Sequence, residues 1–170
     1  MKKDAFKKTT VLAASVLLII LDQVTKGMVQ DMLKPNGGQP YTVIPGLLEL
    51  SYLENPAAAF GLFGNVIWLV TALTLVVAGA ILAALFLYKH HSVFSYVAAA
   101  LLLAGGVGNL IDRIVNGYVV DFIHVMFFGY IFNIADCCVT IGACFLVAHY
   151  LWVMHQEKQA GAKAEEGSGS

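Results

Sequence analysis

The run VIWLVTALTLVVAGAILAALFLY at positions 66–88 contains no charged side chain. A bilayer's hydrocarbon core is about 30 Å thick and takes about 20 apolar residues to cross as a helix. This run is long enough, so it reads as a membrane span, and that reading decides the class of the fold. Composition agrees. Hydrophobic residues make up 59% of the 170 positions and charged residues only 12%, where soluble domains carry about 25%. The formal net charge of -1 offers no basic surface for nucleic acid. The three cysteines, Cys137, Cys138 and Cys144, form no C-x-x-C pair and no metal-ligand spacing. They read as small packed residues of a membrane helix, and no metal site is expected.

Outward from this run, three more segments qualify as spans, at about 9–29, 92–114 and 132–154. The first has the basic start of a cleavable signal peptide. It is followed by DQVTK rather than by the small residues of a cleavage site, so it reads as a retained helix. Lysines set the orientation. Lys2, Lys3, Lys7 and Lys8 precede the first span, Lys89 lies between the second and third, and Lys158 and Lys163 follow the fourth. Both termini are therefore expected in the cytoplasm, with the loops at 30–65 and 115–131 outside. In the longer loop, Tyr41 to Ile44 and Leu47 to Leu53 read as two short strands around Pro45-Gly46. Residues 1–158 form one expected domain, and 159–170, small and polar, an expected disordered tail.

Ionisable groups inside spans are costly and mark functional sites by default. At 1.5 Å per residue, Asp22 lies roughly 20 Å beyond the lysines that open the first span. The same count sets Asn109, Asp112 and Arg113 at the outer end of the third span, and Asn133 and Asp136 at the outer end of the fourth. Asp121 falls in the outer loop between them. The strongly polar residues thus share one layer. Asp22 and Lys26 stand i,i+4 on one helix face. That pair reads equally as a structural bridge or as part of a site, whereas Asp112 beside Arg113 reads as a structural charge pair. Gly105, Gly106 and Gly108 give the third span a face that allows close approach.

Asp121 and Asp136 differ from the other acids in having no cation within helical reach. Each alone would suit a cap or a turn; two in one layer favour a catalytic pair. Neighbouring carboxyls share a proton. The ionised member can draw a proton from water while the protonated member polarises a carbonyl, which is general acid–base attack on a peptide bond. Among the sequence motifs there is no G-x-S-x-G, H-E-x-x-H or phosphate loop to support another chemistry. The rival reading is a proton-coupled transporter or scaffold. A transporter needs polar groups along a path or at the midplane, and the inner halves of the spans offer only His149 and scattered hydroxyls.

The chain resembles the bacterial lipoprotein signal peptidases, or type II signal peptidases, over nearly its whole length. The resemblance rests on DQVTK (22–26), NPAAAF (55–60), GGVGNLIDR (105–113), GYVVDFI (117–123) and FNIAD (132–136), in that order within four spans. It implies an all-α membrane protein of four transmembrane helices with a small extracytoplasmic β-cradle. It implies an aspartyl endopeptidase of the bacterial inner membrane, active near the outer face and without a cofactor. That enzyme would cut diacylglyceryl-modified prolipoproteins just before the lipidated cysteine. By motif position the catalytic pair maps to Asp121 and Asp136. Asp22, Lys26, Asn55, Gly105, Asn109, Asp112, Arg113, Asn133 and Ala135 fall on positions that bind substrate or support the site. Expected partners are diacylated prolipoprotein signal peptides, membrane lipids and globomycin-type inhibitors, with the chain a monomer. One departure stands out: Ala57 occupies a position that is usually glycine in the family's second motif.

Overall fold

The computed structural model describes residues 2–56 and 66–168, with side chains at 4–56 and 67–161. Ala57, and with it the departure in the second motif, lies outside the described residues. Four long helices dominate: α1 (Lys2–Leu33), α2 (Val66–Leu87), α3 (Val93–Val115) and α4 (Ile134–Ser168). Each contains a stretch long and apolar enough to cross a membrane. Between α1 and α2 lie a short 3-10 turn (Lys34–Asn36) and strands β1 (Tyr41–Ile44) and β2 (Leu48–Asn55). Strands β3 (Val119–Val125) and β4 (Ile131–Phe132) join α3 to α4. The fold is the expected one, a helical membrane protein with a small sheet.

α3 is the central helix. Half of its apolar stretch (50%) is buried, against 22%, 11% and 17% for α1, α2 and α4. Its small residues explain this. A Cβ on Gly105 would collide with the Ala135 backbone carbonyl and lie 2.6 Å from the Val139 Cγ2, so α3 and α4 meet at backbone distance. Ala99 and Ala100 take part in a cluster with Val11 of α1 and Leu85 of α2. α3 starts sharply because Ser92 and Ser95 cap each other: the Ser95 amide donates to the Ser92 hydroxyl, and the Ser92 amide to the Ser95 hydroxyl.

The sheet is antiparallel in the order β1-β2-β3-β4. Gly46 turns β1 into β2 with φ 72, a left-handed conformation suited to glycine. The sheet is seated on the end of α1, where Phe122 of β3 packs with Val29 and Leu33. Asp121 pairs across the ladder with Leu53, two residues before the end of β2. The site is thus built where the sheet meets the ends of α1, α3 and α4.

Three features differ from expectation. Asp121 lies on a strand rather than in a loop. The four residues Val119 to Phe122 are buried on both faces, which erases the alternation that marks a half-exposed strand. α1 runs beyond position 29 to Leu33. α4 runs beyond position 154 to Ser168, through the stretch expected to be disordered. Its QEKQAGAKAEE segment is rich in Ala, Glu, Gln and Lys, which favour helix even where the chain is polar.

Candidate active site

Two layers of polar side chains meet between α1, α3, α4 and β3. In the lower layer, the Lys26 ammonium lies 2.8 Å from Asp22 and 3.0 Å from Asp112, and donates to the Asn109 Oδ1 at 2.9 Å. Its three donors meet three acceptors. Gln23 bridges the same two acids, donating to Asp22 Oδ2 at 3.2 Å and Asp112 Oδ1 at 3.1 Å. The remaining carboxylate valences reach other elements. Asp22 accepts from the Ala135 amide at 2.8 Å, at the start of α4, and Asp112 from the Val120 amide at 3.0 Å, on β3. Lys26 is only 3% exposed. A buried cation with two carboxylates and satisfied hydrogen bonds therefore ties four elements together.

Asp112 pairs with Lys26 of another helix, not with Arg113 as its neighbourhood in sequence suggested. Adjacent helix residues point about 100° apart and do not face each other. Arg113 instead is half-buried, and its Nε–H is buried without an acceptor among the described residues.

The upper layer holds Asp121 and Asp136. Asn133 caps α4: the Asp136 amide donates to the Asn133 Oδ1 at 2.9 Å, and the Asn133 amide donates back to the Asp136 Oδ2 at 3.2 Å. The other Asp136 oxygen accepts from the Asn109 side-chain amide at 2.8 Å. Asp121 accepts from Asn133 Nδ2 at 2.6 Å and from Asn55 Nδ2 at 2.8 Å. Both carboxyls are thus gripped at both oxygens by neutral amides. Burial pushes the Asp121 carboxyl up to about 6 from 3.8, against the pull of the Asn55 bond, and the negative charge of Asp136 adds to the rise.

Both aspartates line a cavity of about 540 Å³ together with Asn55. Its walls are Phe128, Tyr130, Ile131 and Phe132 from the end of the sheet, and Cys137, Thr140 and Ile141 from α4. The arrangement offers two close-set acids at the edge of an apolar space. Among the described residues no group of three or more His, Cys, Asp or Glu could hold a metal ion.

The model of a family described as signal peptidase (SPase) II matches residues 14–152. The chain belongs to the signal peptidase II family. The lipoprotein signal peptidase of Chlorobium phaeobacteroides (strain BS1) is 43% identical over 152 residues, covering 80% of this chain and 92% of that protein. That of Staphylococcus haemolyticus (strain JCSC1435) is 38% identical, covering 85% and 92%. A solved bacterial membrane enzyme superposes with a TM-score of 0.77 at 35% identity, over 84% of this chain and 93% of that one. With its four apolar helices, this signal peptidase II family member is a multi-pass membrane protein.

Asp22, Lys26, Asn55, Asn109, Asp112, Asp121, Asn133, Ala135 and Asp136 join one hydrogen-bonded assembly, linked through the contacts above. Gly105 contributes as the point where α3 and α4 touch. Gln23 was missed; a second polar residue directly after Asp22 inside a span was the available signal. The cavity wall was also missed. Cys137 is half-buried in it and Cys144 is exposed, so only Cys138 is the buried packing residue expected of all three.

Proposed function

We propose that this chain is an aspartyl endopeptidase that removes the signal peptide from diacylglyceryl-modified prolipoproteins, cutting immediately before the lipidated cysteine. The observation that carries this reading is the pair of acids, Asp121 and Asp136, sharing one cavity and held by amides instead of cations. The name borne by the relatives, lipoprotein signal peptidase, supports the substrate.

Asp121 is the member of the pair that holds a shared proton more readily, because burial raises its carboxyl. Asp136, in the first turn of α4, faces the same cavity and serves as the base. Asp136 takes a proton from water, and the resulting hydroxyl adds to the scissile carbonyl carbon. Asp121 gives its proton to the carbonyl oxygen. The tetrahedral intermediate then collapses, a proton passes to the departing nitrogen, and the C–N bond breaks. The products are a signal peptide with a free carboxyl and a lipoprotein that begins with its lipidated cysteine. Asn55, Asn109 and Asn133 aim the acids, and the Lys26 network fixes the elements that carry them. No cofactor takes part.

The lysine distribution supports a bacterial cell-membrane orientation with both termini in the cytoplasm and the sheet outside. Globomycin-type cyclic peptides would compete for the cavity, and the enzyme would act as a monomer. The deciding experiment incubates purified protein with a diacylated prolipoprotein and follows the shortened product. Asp121→Asn and Asp136→Asn each abolish the product while the protein still elutes as a folded species. Normal cleavage by either variant would overturn the assignment.

A further inference from the structure

At the end of the bundle away from the catalytic cavity, a groove of about 340 Å³ runs between the starts of α1 and α3. Val11 and Ala100 form its floor and are 5% and 8% exposed, while Phe6 and Val93 flank it, each 73% exposed. Ala14 and Val97 continue the same apolar lining. From Lys7 to Ala14, and from Val93 to Ala100, the groove extends about 10 Å along each helix at 1.5 Å per residue. Both helices are long and apolar enough to cross a membrane. The hydrocarbon core is about 30 Å thick, so the groove lies within one leaflet.

The rim of the groove is polar and carries one unbalanced charge. Lys8 lies 2.9 Å from one Asp4 oxygen, and the Tyr96 hydroxyl donates to the other at 3.0 Å. That carboxylate is therefore already matched. Lys7 has no carboxylate partner among the described residues; its ammonium rests 5.6 Å from the centre of the Tyr96 ring. The Tyr96 ring is itself stacked on His91, with centroids 4.7 Å apart. Bonded at its hydroxyl and stacked on its ring, Tyr96 is a fixed wall, so the rim is shaped before any ligand arrives. An apolar slot inside one leaflet with a single cation at its mouth is complementary to an amphiphile with a hydrocarbon chain and an anionic head.

We propose that this groove is a binding site for one anionic phospholipid. An acyl chain lies along Val97 and Ala100 with Val11 beneath it, and the phosphate meets the Lys7 ammonium. Basic side chains at the ends of membrane helices attract anionic headgroups, and basic pockets between helices hold individual lipids. A zwitterionic lipid brings the same chains but a balanced head, so Lys7 gives the site its selectivity. The lipid is a structural ligand that bridges α1 and α3, and it is not a substrate. In the orientation that the lysines support, it belongs to the cytoplasmic leaflet.

The test uses the purified full chain in detergent and two lipids with identical acyl chains, phosphatidylglycerol and phosphatidylcholine. Native mass spectrometry counts the bound lipids, and thermal unfolding reports the stabilisation that binding to the folded state confers. Phosphatidylglycerol is expected to form a one-to-one adduct at severalfold lower concentration than phosphatidylcholine, and to raise the melting temperature more. Lys7→Gln removes this preference and leaves phosphatidylcholine binding as it was; Lys7 is exposed, so the variant folds. Ala14→Leu fills the groove and weakens the binding of both lipids. Lys89→Gln, between α2 and α3, keeps the preference. Equal binding of the two lipids by the wild type overturns the site. A preference that survives Lys7→Gln, or that falls equally in Lys89→Gln, reports a diffuse attraction to a basic end and overturns it too. A protein dimer in place of the lipid adduct gives the groove to a second copy and overturns the lipid assignment. Neither readout involves cleavage, so failure here leaves the proposed function standing, and the reverse.

Discussion

The two layers of carboxylates use the same residue type for opposite purposes. Asp22 and Asp112 flank a buried ammonium, at 2.8 Å and 3.0 Å. Asp121 and Asp136 accept hydrogen bonds from the amides of Asn55, Asn109 and Asn133. An amide donor fixes direction and leans only modestly toward the ionised form, whereas a cation favours that form strongly. A pair that must exchange protons needs the first kind of neighbour, and a pair that must hold helices together benefits from the second. Asn109 links the layers: its carbonyl accepts from Lys26 below and its amide donates to Asp136 above. The rigid layer therefore orients the reactive one through Asn109 and through the Ala135 and Val120 amides held by Asp22 and Asp112.

The comparison is broken most directly by removing one acid from the upper pair. Asp121→Asn or Asp136→Asn lowers the cleavage rate by about 10²–10⁴-fold, the usual worth of a positioned acid or base. Melting temperature changes little by comparison. In the lower layer the effects reverse. Lys26→Met leaves two buried carboxylates without their cation and costs about 3–5 kcal/mol of stability. Thermal unfolding in detergent reads this as a large drop or as failure to fold. Adding Asp22→Asn and Asp112→Asn to Lys26→Met restores much of the loss, since neutral buried groups of similar shape replace an ion cluster at little cost. If the single Lys26 variant melts like the wild type, the lower layer is not the structural anchor described here.

Asn133 belongs to both functions, and two substitutions separate them. It caps α4 through its carbonyl oxygen and holds Asp121 through its amide. Asn133→Asp keeps a competent cap but replaces the amide donor with a third acceptor beside Asp121. Cleavage falls well below that of the wild type, while the capping contribution survives. Asn133→Ala removes both, adding a loss of about 1 kcal/mol for the cap. Comparing melting temperature and rate for the two variants assigns each role to its own atom.

Much of this was legible in the sequence, because hydrophobic length is a strong signal and depth follows from counting along a helix. The four spans, the strand Tyr41–Ile44 and most of Leu48–Asn55 were readable that way, whereas the polar groups counted to one layer are arranged in two. Contacts between helices were not. Nothing local in the sequence pairs Asp112 with Lys26, since 86 positions separate them and Arg113 stands next door. Strand β3 escaped because its doubly buried start has no period, and β4 because two residues carry no pattern. The cavity wall escaped for a related reason: Cys137, Thr140 and Ile141 are ordinary residues for a membrane helix, and only the end of the sheet gives that flank of α4 a function.

The smallest expected effect is the sharpest probe of the difference between layers. The Asp121 carboxyl is raised from 3.8 to about 6, first by burial. An acid whose folded value lies above its unfolded one stabilises the fold in its protonated form. That stabilisation is fully present below the unfolded value and is lost as pH rises through about 6. Asn at this position cannot titrate. The melting temperature of the wild type minus that of Asp121→Asn should therefore decrease between about pH 4 and about pH 7, with its midpoint between the two pKa values. Taking the difference cancels the titration of the shared groups that do not interact with Asp121. A difference that stays flat over this range would mean that the Asp121 carboxyl ionises as readily in the fold as in the unfolded chain. The upper pair would then hold no resting proton on Asp121, and the acid and base roles proposed for Asp121 and Asp136 would have to be exchanged.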